Sequence, residues 1–232
     1  MPSLSVVFPM HDEEAYVSRS VAAARAALAS LGSEDYEIIV VDDASTDRTG
    51  EIAQELARQD PRIRVLGNQC NLKLGGTLRA GFGAASKELV LYTDADLPVD
   101  LGELPRAVRI LEQQQADLLA GYRFHRGGEG LRRAVYAAGY NTLIRLLFGL
   151  RVRDVNFAFK LVRRSLLQRI TLKSDGSFID AELLLRARRA GAVVVQMGLD
   201  YFPRTQGVSK LSSPAVIGKI LLEMLRWWRE LR

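Results

Sequence analysis

Short apolar runs rich in β-branched residues alternate with longer segments of helical periodicity along the first half of the chain. The short runs predict strands at residues 4–8, 37–41, 63–66 and 89–92, and the segments between them predict helices at residues 13–31, 49–58 and 75–85. Runs of four to eight apolar residues are typical of buried strands, whereas apolar spacings of three and four are typical of helices. This alternation predicts an α/β fold, in which a parallel sheet carries helices on both faces.

The second half of the chain is less regular. Its patterns predict helices at residues 101–115, 131–150 and 178–190, strands at residues 117–120 and 192–197, and a cationic loop at residues 126–130. After Pro214 the chain follows an amphipathic helical pattern to its last residues. We therefore expect a single domain over residues 1–212, followed by an amphipathic helix over residues 213–232.

The composition limits the classes of protein to which the chain can belong. Its 232 residues are 48% hydrophobic and 25% charged, which is typical of globular domains and excludes a disordered chain. Cys70 is the single cysteine of the sequence, which suits a reducing cytosol, and two histidines are too few for a histidine-based zinc site. The sequence has no apolar run of about 18 residues and no basic region before its first apolar run. It therefore predicts neither a spanning helix nor a signal peptide.

A net charge of +5 favours anionic partners such as nucleotides, phosphates or acidic lipids. The basic residues are scattered and form no helix-turn-helix or RNA-binding motif, so nucleic acid is not expected as a partner. Gly81 and Gly83 lie inside a predicted helix rather than in the turn after the first strand, which argues against a dinucleotide-binding fingerprint.

Acidic residues follow three of the predicted strands, at residues 12–14, 42–47 and 94–96. Because the carboxyl ends of parallel strands lie at one edge of a sheet, we expect these clusters to meet there. Gathered carboxylates repel one another unless a divalent cation or the hydroxyl and amino groups of a nucleotide compensate them. Asp94 and Asp96 are candidate ligands of Mg²⁺ or Mn²⁺. The alternative is that these residues serve only as turn and helix-capping residues.

The order of these motifs resembles the signatures of the family 2 glycosyltransferases with the GT-A fold. The matching segments are VVFPMHDEE at residues 6–14, VVDDASTDRTG at 40–50, residues 71–81, and TDADL at 93–97. Later segments resemble the polyprenol-phosphate (dolichol-phosphate) mannosyl- and glucosyltransferase branch: GYR at 121–123, LRVRDVNFAFKLVRR at 150–164, FIDAELLLRARRAG at 178–191 and RTQGVSK at 204–210. The resemblance extends from about residue 5 to residue 210, and the order and spacing of the motifs make it specific.

The resemblance implies a Rossmann-like GT-A sandwich with a mostly parallel central sheet, a nucleotide-binding half over residues 1–97 and an acceptor half over residues 98–212. The residues that it implies in donor binding are Pro9, His11, Glu13, Asp42, Asp43, Asp94 and Arg123. Asp94 and Asp96 would hold the metal on the donor diphosphate, and cations there stabilise the leaving group. The candidates for binding phosphate or acceptor are Arg132, Arg204 and Lys210. The alternative for Arg123 and Lys210 is an ordinary surface position.

The chain departs from the family pattern at several positions. Lys73 is displaced by one position from the lysine of the usual Gly-Lys-Gly, and Pro98 replaces a glutamine that helps to ligate metal in relatives. Metal binding would then depend on the two aspartates, phosphate oxygens and water. Residues 155–158 replace the more usual Pro-Thr-Ser-Gly, and Lys160 stands where arginine is frequent.

The family resemblance implies an inverting single displacement at the anomeric carbon of a GDP-mannose or UDP-glucose type of donor. A lipid phosphate is largely ionised near neutral pH, since the second pKa of a phosphate monoester is about 6, and it attacks without a base. A hydroxyl acceptor needs a base, for which Asp180 and Glu182 are the candidates. These two residues are about 200° apart on a helix, so only one can face the site. The alternative for Asp180 is a helix-start carboxylate stabilised by the macrodipole.

Two amphipathic segments are candidates for contact with a membrane surface. Residues 217–231 carry an apolar stripe and paired tryptophans, and residues 132–153 combine apolar residues with arginines. Both helices could instead pack on the core or against a second subunit. The main hypothesis is a hexosyltransferase acting on polyprenyl phosphate at the cytoplasmic face of the membrane. The alternatives are transfer to a glycan or small-molecule hydroxyl, and a non-catalytic nucleotide-binding module.

Overall fold

The computed structural model describes residues 2–124, 131–202 and 214–231. The strands are β1 (Leu4–Met10), β2 (Tyr36–Asp42), β3 (Ile63–Gly67), β4 (Leu89–Thr93), β5 (Leu118–Arg123), β6 (Phe159–Arg163) and β7 (Val194–Leu199). The helices are α1 (Val17–Leu31), α2 (Thr49–Gln59), α3 (Lys73–Ala84), α4 (Leu104–Gln113), α5 (Leu131–Phe148), α6 (Arg164–Arg169), α7 (Ile179–Arg189) and α8 (Pro214–Leu231). The alternating elements of the first half therefore match the sequence pattern.

Within the described residues the strands form one seven-stranded sheet in the order β3-β2-β1-β4-β6-β5-β7. β1, β2, β3 and β4 are parallel to their neighbours in this group, and β5 is parallel to β7. β6 is antiparallel to both β4 and β5, and it joins the two parallel groups. The sheet is therefore mostly parallel, as expected from the family resemblance.

The two faces of the sheet bury separate apolar clusters because successive strand residues point to opposite sides. In β1, Val6 and Phe8 pack under α1 and α4, whereas Val7 packs under α3 on the other face. The second cluster also contains buried residues of α5, α7 and α8. These layers confirm that helices cover both faces of the sheet.

Several sequence predictions need correction. β6 and α6 were not predicted as a strand and a helix; the β6 sequence FKLVR carries the buried Lys160, which interrupts its apolar pattern. The first helix begins at Val17 instead of residue 13, because the preceding residues form a turn closed by the Tyr16 amide and the Glu13 carbonyl. The predicted helix at 101–115 begins as a 3₁₀ turn at Leu101–Glu103, capped by Asp100. The predicted cationic loop at 126–130 lies outside the described residues.

α8 packs against α5 and α7 and thereby helps to cover one face of the sheet. Ile220, Met224 and Leu231 are buried, whereas Leu222 and Leu225 are exposed on the other side of the helix. The core-packing interpretation therefore applies to one face of this helix, and the opposite face keeps exposed leucines. Among the described residues, no helix combines the length and the apolar character that crossing a bilayer would require.

Candidate active site

A cavity of about 430 Å³ opens at the carboxyl ends of β4 and β5, beneath α5 and α8. One part of its wall is polar and carries charged and amide side chains, and another part is apolar. The lining residues are Asp94, Asp96, Pro98, Arg123, Val135, Tyr136, Ala137, Gly139, Tyr140, Asn141, Leu143, Asp154, Asn156, Phe157, Ala158, Tyr201 and Ile220. Three of the residues singled out from the sequence, Asp94, Asp96 and Arg123, thus line one cavity.

Asp94 and Asp96 follow β4 directly, in a turn closed by the Leu97 amide and the Asp94 carbonyl at 3.2 Å. Leu97 adopts a positive φ of 52°, which directs the chain sharply away from the strand. The buried hydroxyl of Tyr92 lies 3.5 Å from Oδ1 of Asp94. Burial and the nearby carboxylates of Asp180 and Asp94 raise the pKa of this tyrosine, so its hydroxyl stays protonated beside Asp94.

The two aspartates fit a hard divalent cation that shares its ligands with substrate. Their carboxylate oxygens are the donor type that Mg²⁺ and Mn²⁺ prefer, and both side chains line the cavity. Among the described residues there is no group of three or more His, Cys, Asp or Glu side chains that could enclose a metal by themselves. Such a cation would therefore need phosphate oxygens and water to complete its coordination. The sequence predicts the same, because Pro98 has no side-chain ligand to offer.

Arg123 is held rigidly at the end of β5 by a residue that the sequence analysis did not identify. Its Nε and Nη2 donate to the two carboxylate oxygens of Asp154 at 2.6 and 3.0 Å, and both side chains are buried. The guanidinium carbon lies 5.7 Å from the ring centre of Phe157 and 5.3 Å from that of Tyr201. Two parallel hydrogen bonds and flanking rings fix the plane of a guanidinium, so Arg123 presents a preoriented cation to the cavity.

The turns after β1 and β2 are tied to each other by side-chain hydrogen bonds. The Asp12 amide donates to Ser45 Oγ at 3.0 Å, and the Thr46 amide donates to Asp12 Oδ1 at 2.7 Å. This bond from the Thr46 amide is the largest cause of the lowered pKa of Asp12. Asp12 and Ala44 both adopt positive φ, at 56° and 55°. Backbone strain of this kind often accompanies functional turns, because the surrounding bonds must hold it in place.

The predicted donor-binding residues of these turns differ in their surroundings. Pro9 and Glu13 are partly buried, and the His11 ring nitrogen Nδ1 lies 3.0 Å from the Asp43 carbonyl oxygen. Asp42 is partly exposed and accepts a hydrogen bond from the Ser45 amide at 3.1 Å. A Cβ atom at Gly50 would come within 2.5 Å of Asp42 Oδ2, so a larger residue there would displace the Asp42 carboxylate. Donor binding by Pro9, His11, Glu13 and Asp42 stays a prediction.

Asp43, directly after β2, is more deeply buried than Asp42. It is 4% exposed, and its Oδ1 accepts hydrogen bonds from Asn68 Nδ2 and from the Leu72 amide, both at 2.8 Å. The side chain thus fixes the loop between β3 and α3 to the end of β2. These bonds give Asp43 a structural role, and donor binding by Asp43 stays a prediction.

Asp180 and Glu182, the two residues predicted as candidate bases, are both buried and paired with neighbouring groups, which argues against a role as base. Asp180 is 4% exposed and its Oδ1 lies 2.6 Å from Nζ of Lys160, which is itself buried. Burial raises the pKa of Asp180, and the lysine opposes that shift. Glu182 is fully buried and accepts hydrogen bonds from two backbone amides, at Lys173 and Ser174, and from Arg186. Neither carboxylate lines the cavity.

Three predicted phosphate- or acceptor-binding residues fall where side chains are not described. Arg204 and Lys210 lie outside the described residues, and Arg132 lies in α5 with only its backbone described. Their roles stay predictions.

Comparison with known proteins places this geometry in a family. The model of glycosyl transferase family 2 matches residues 5–171. Glycosyltransferase AglD of Haloferax volcanii is 31% identical over an alignment of 233 positions. This alignment covers 97% of this chain and 37% of the length of that relative. Polyprenol monophosphomannose synthase of Mycolicibacterium smegmatis is 33% identical over 204 residues, covering 82% of this chain and 75% of the relative.

A solved structure has the same fold. Glucosyl-3-phosphoglycerate synthase from Mycobacterium tuberculosis, in complex with Mn²⁺, uridine-diphosphate and phosphoglyceric acid, superimposes with a TM-score of 0.73. The similarity covers 98% of this chain and 78% of that one, at 23% identity. The shared architecture confirms the expected GT-A fold.

Proposed function

The chain belongs to glycosyl transferase family 2, and from this premise we propose that it transfers a hexosyl group from a nucleotide-diphosphate sugar to a polyprenyl phosphate. A donor of the GDP-mannose or UDP-glucose type and a lipid acceptor together require a site with both charged and apolar surface. The relative from Mycolicibacterium smegmatis, named as a polyprenol monophosphomannose synthase, supports this choice of acceptor.

The observation that carries the proposal is the mixed lining of the cavity. Asp94, Asp96 and Arg123 supply charged groups at the end of β4 and β5, and Val135 and Ile220 supply apolar surface from α5 and α8. A polyprenyl phosphate has a charged head that must reach the reacting carbon and an apolar chain that must be kept from water. A cavity with both kinds of surface suits such a molecule better than a wholly polar acceptor.

Asp94 and Asp96 would hold a Mg²⁺ or Mn²⁺ ion together with the diphosphate of the donor. When bound, the ion would neutralise charge that develops on the leaving nucleoside diphosphate. The preoriented guanidinium of Arg123 contributes charge-assisted hydrogen bonds to the same oxygens and needs no rearrangement to do so. The Tyr92 hydroxyl beside Asp94 helps to set the position of that carboxylate.

The state of the two candidate bases favours a phosphate acceptor over a hydroxyl acceptor. Asp180 is paired with Lys160, and Glu182 is occupied by backbone amides and Arg186. A phosphate monoester needs no proton removed from it, because it is largely ionised near neutral pH. We therefore propose an inverting displacement in which the lipid phosphate attacks the anomeric carbon from the side opposite the diphosphate.

The exposed faces of α8 and α5 support a peripheral position at a membrane surface, which we propose to be the cytoplasmic face. Leu222 and Leu225 of α8 are 68% and 67% exposed, and Leu146 of α5 is 76% exposed. Arg226 and Arg229 are also exposed on α8. Apolar side chains interspersed with arginines suit the boundary between lipid headgroups and acyl chains.

The transfer is tested with radiolabelled UDP-glucose, UDP-galactose and GDP-mannose, each supplied with polyprenyl phosphate, with and without Mn²⁺. Label extracted into the organic phase is expected for at least one donor. Asp96→Asn should abolish this signal, and Asp35→Asn, a matched change at an exposed site near the opposite sheet edge, should keep it. Absence of lipid-bound label with every donor would refute the lipid acceptor. Nucleotide binding insensitive to both Mn²⁺ and Asp96→Ala would favour the non-catalytic module.

A further inference from the structure

Two polar atoms on the cavity wall have no protein partner among the described residues. They are the hydroxyl of Tyr140, on α5, and Oδ1 of Asn156, in the segment before β6. Both atoms are shielded from solvent. Buried polar atoms in folded proteins are nearly always hydrogen-bonded, because leaving them unpaired is costly. Two such atoms on one cavity wall indicate that a ligand supplies their partners.

Neighbouring residues hold these two side chains in place. Asn141, which follows Tyr140 on α5, donates to the Arg153 carbonyl and accepts from the Val155 amide, both at 3.1 Å. These bonds fix α5 to the segment that carries Asn156. Asp154 ties the same segment to Arg123. The tyrosine hydroxyl and the asparagine amide are therefore preorganised on a rigid frame, as binding groups need to be.

The charges on the wall indicate which part of a substrate would meet these atoms. Among the described lining residues Arg123 is the one cation, and it stands beside the carboxylates Asp94, Asp96 and Asp154. A phosphate is therefore best placed at Arg123 and the metal-binding aspartates. Tyr140 and Asn156 are neutral, so they suit a neutral group rich in hydroxyls.

Tyr140 is a hydrogen-bond donor at all ordinary pH values. Burial and the carboxylates of Asp180 and Glu223 raise its pKa, so the phenol stays protonated. The oxygen of Asn156 is an acceptor. A donor and an acceptor facing one cavity match the hydroxyl groups of a sugar, each of which can donate and accept.

We propose that Tyr140 and Asn156 form the subsite that binds the hydroxyl groups of the transferred hexosyl unit and so determines which sugar is accepted. The inference rests on the proposed function, because it takes the ligand to be a nucleotide sugar. Hexose epimers differ in the direction of a single hydroxyl. A fixed polar site discriminates strongly between them, since the wrong epimer leaves a buried group unpaired.

The test compares Tyr140→Phe and Asn156→Leu with the unchanged protein by calorimetry in the presence of Mn²⁺. The titrants are the free diphosphates UDP and GDP and the nucleotide sugars UDP-glucose, UDP-galactose and GDP-mannose. Each variant is expected to lose roughly fivefold to tenfold in affinity for the preferred nucleotide sugar, as one neutral hydrogen bond contributes. The preference between UDP-glucose and UDP-galactose should weaken, and affinity for the free diphosphates should stay unchanged. Tyr36→Phe, on β2 near the other edge of the sheet, is the matched control.

Thermal stability separates ligand binding from a structural role. The Tyr140 hydroxyl has no described partner to lose, so Tyr140→Phe is expected to keep or raise the Tm of the ligand-free protein. Unchanged sugar affinity and epimer preference in both variants would overturn the subsite. A Tm loss of more than about 4 °C in Tyr140→Phe with unchanged affinity would assign the hydroxyl a structural role instead. Failure of the proposed function would look different: the unchanged protein would bind no nucleotide sugar and transfer no label.

Discussion

The buried ion pair between Lys160 and Asp180 allows a decisive test of what Asp180 does. A general base would be needed for turnover but not for folding, so Asp180→Asn would give a stable, inactive protein. The structure predicts the reverse. Lys160 is 1% exposed, Asp180 is 4% exposed, and their charged atoms lie 2.6 Å apart, so removal of either one leaves the other charge buried without compensation.

The size of the effect follows from this burial. Removing one partner of a buried pair costs about 3–5 kcal/mol, and about 1 kcal/mol lowers the Tm of a protein of this size by roughly 2–4 °C. Asp180→Asn should therefore lower the Tm by about 6–20 °C. Lys160→Met should lie at the lower end of that range, because burial raises the pKa of Asp180 and lets the carboxyl take up a proton instead of remaining charged.

The assay is urea unfolding of the two single variants and of the double variant, with the transfer rate measured per folded molecule. The double variant should cost less than the sum of the single costs, by about 1–3 kcal/mol, because no charge is left uncompensated. Lys87→Met, in the more exposed pair with Asp35, is the matched control and should cost at most about 1 kcal/mol. Single costs that simply add would refute the reasoning, and so would a fully stable Asp180→Asn protein without activity.

Three further predictions concern pH, catalysis and membrane contact. Burial raises the pKa of Glu37, but hydrogen bonds from a backbone amide, two hydroxyls and a guanidinium outweigh it and lower the pKa from 4.5 to about 2. The ionised carboxylate should therefore add up to about 3 kcal/mol to the free energy of unfolding above pH 4.5, and this contribution is lost as the pH falls from 4.5 towards 2. In Glu37→Gln the free energy of unfolding should depend less on pH in that range. Asp154→Asn should lower turnover at least about tenfold, because Arg123 loses its fixed orientation. Leu222→Glu with Leu225→Glu should weaken binding to anionic vesicles about tenfold or more in a sedimentation assay, with unfolding unchanged.

Each of these changes has a matched control and a contradicting result. Glu34→Gln, at an exposed glutamate on the same edge, should leave the pH dependence unchanged, and an equal response in both variants would contradict the assignment to Glu37. Asp35→Asn should keep full turnover, and equal turnover in Asp154→Asn would show that Arg123 needs no fixed partner. Val193→Glu, at an exposed apolar residue directly before β7, should keep vesicle binding. Binding retained in the α8 variant would exclude that face from membrane contact.

Hydrophobic periodicity was sufficient to predict the first half of the fold and the position of the acidic clusters. A chain of alternating strands and helices can adopt few sheet topologies. In a parallel sheet the residues that follow each strand lie at the same edge, beyond the carboxyl ends of the strands. Asp94 and Asp96 follow β4 directly, so their place at the cavity follows from local sequence alone.

The roles of side chains far apart in sequence could not be predicted in this way. Helical spacing shows that Asp180 and Glu182 point in different directions. It does not show that both side chains are buried, Asp180 against Lys160 and Glu182 against Arg186. Asp154 lies 31 positions from Arg123, and no pattern in a single sequence indicates that pair. For the same reason Asp43 could not be distinguished from Asp42, although only one of them is buried under the loop after β3.

The antiparallel strand β6 explains why the cavity contains residues that an all-parallel sheet would have placed elsewhere. Thr93, at the end of β4, pairs with Phe159, at the start of β6. The segment before β6 therefore reaches the same sheet edge as the segment after β4, and it brings Asp154 and Asn156 to the cavity that Asp94 and Asp96 also line. In a parallel β6 that segment would lie at the opposite edge, and Arg123 would lack its partner. Reversal of one strand thus brings Asp154 and Asn156 to the cavity. The buried Lys160, which interrupts the apolar pattern of this strand, forms the ion pair with Asp180.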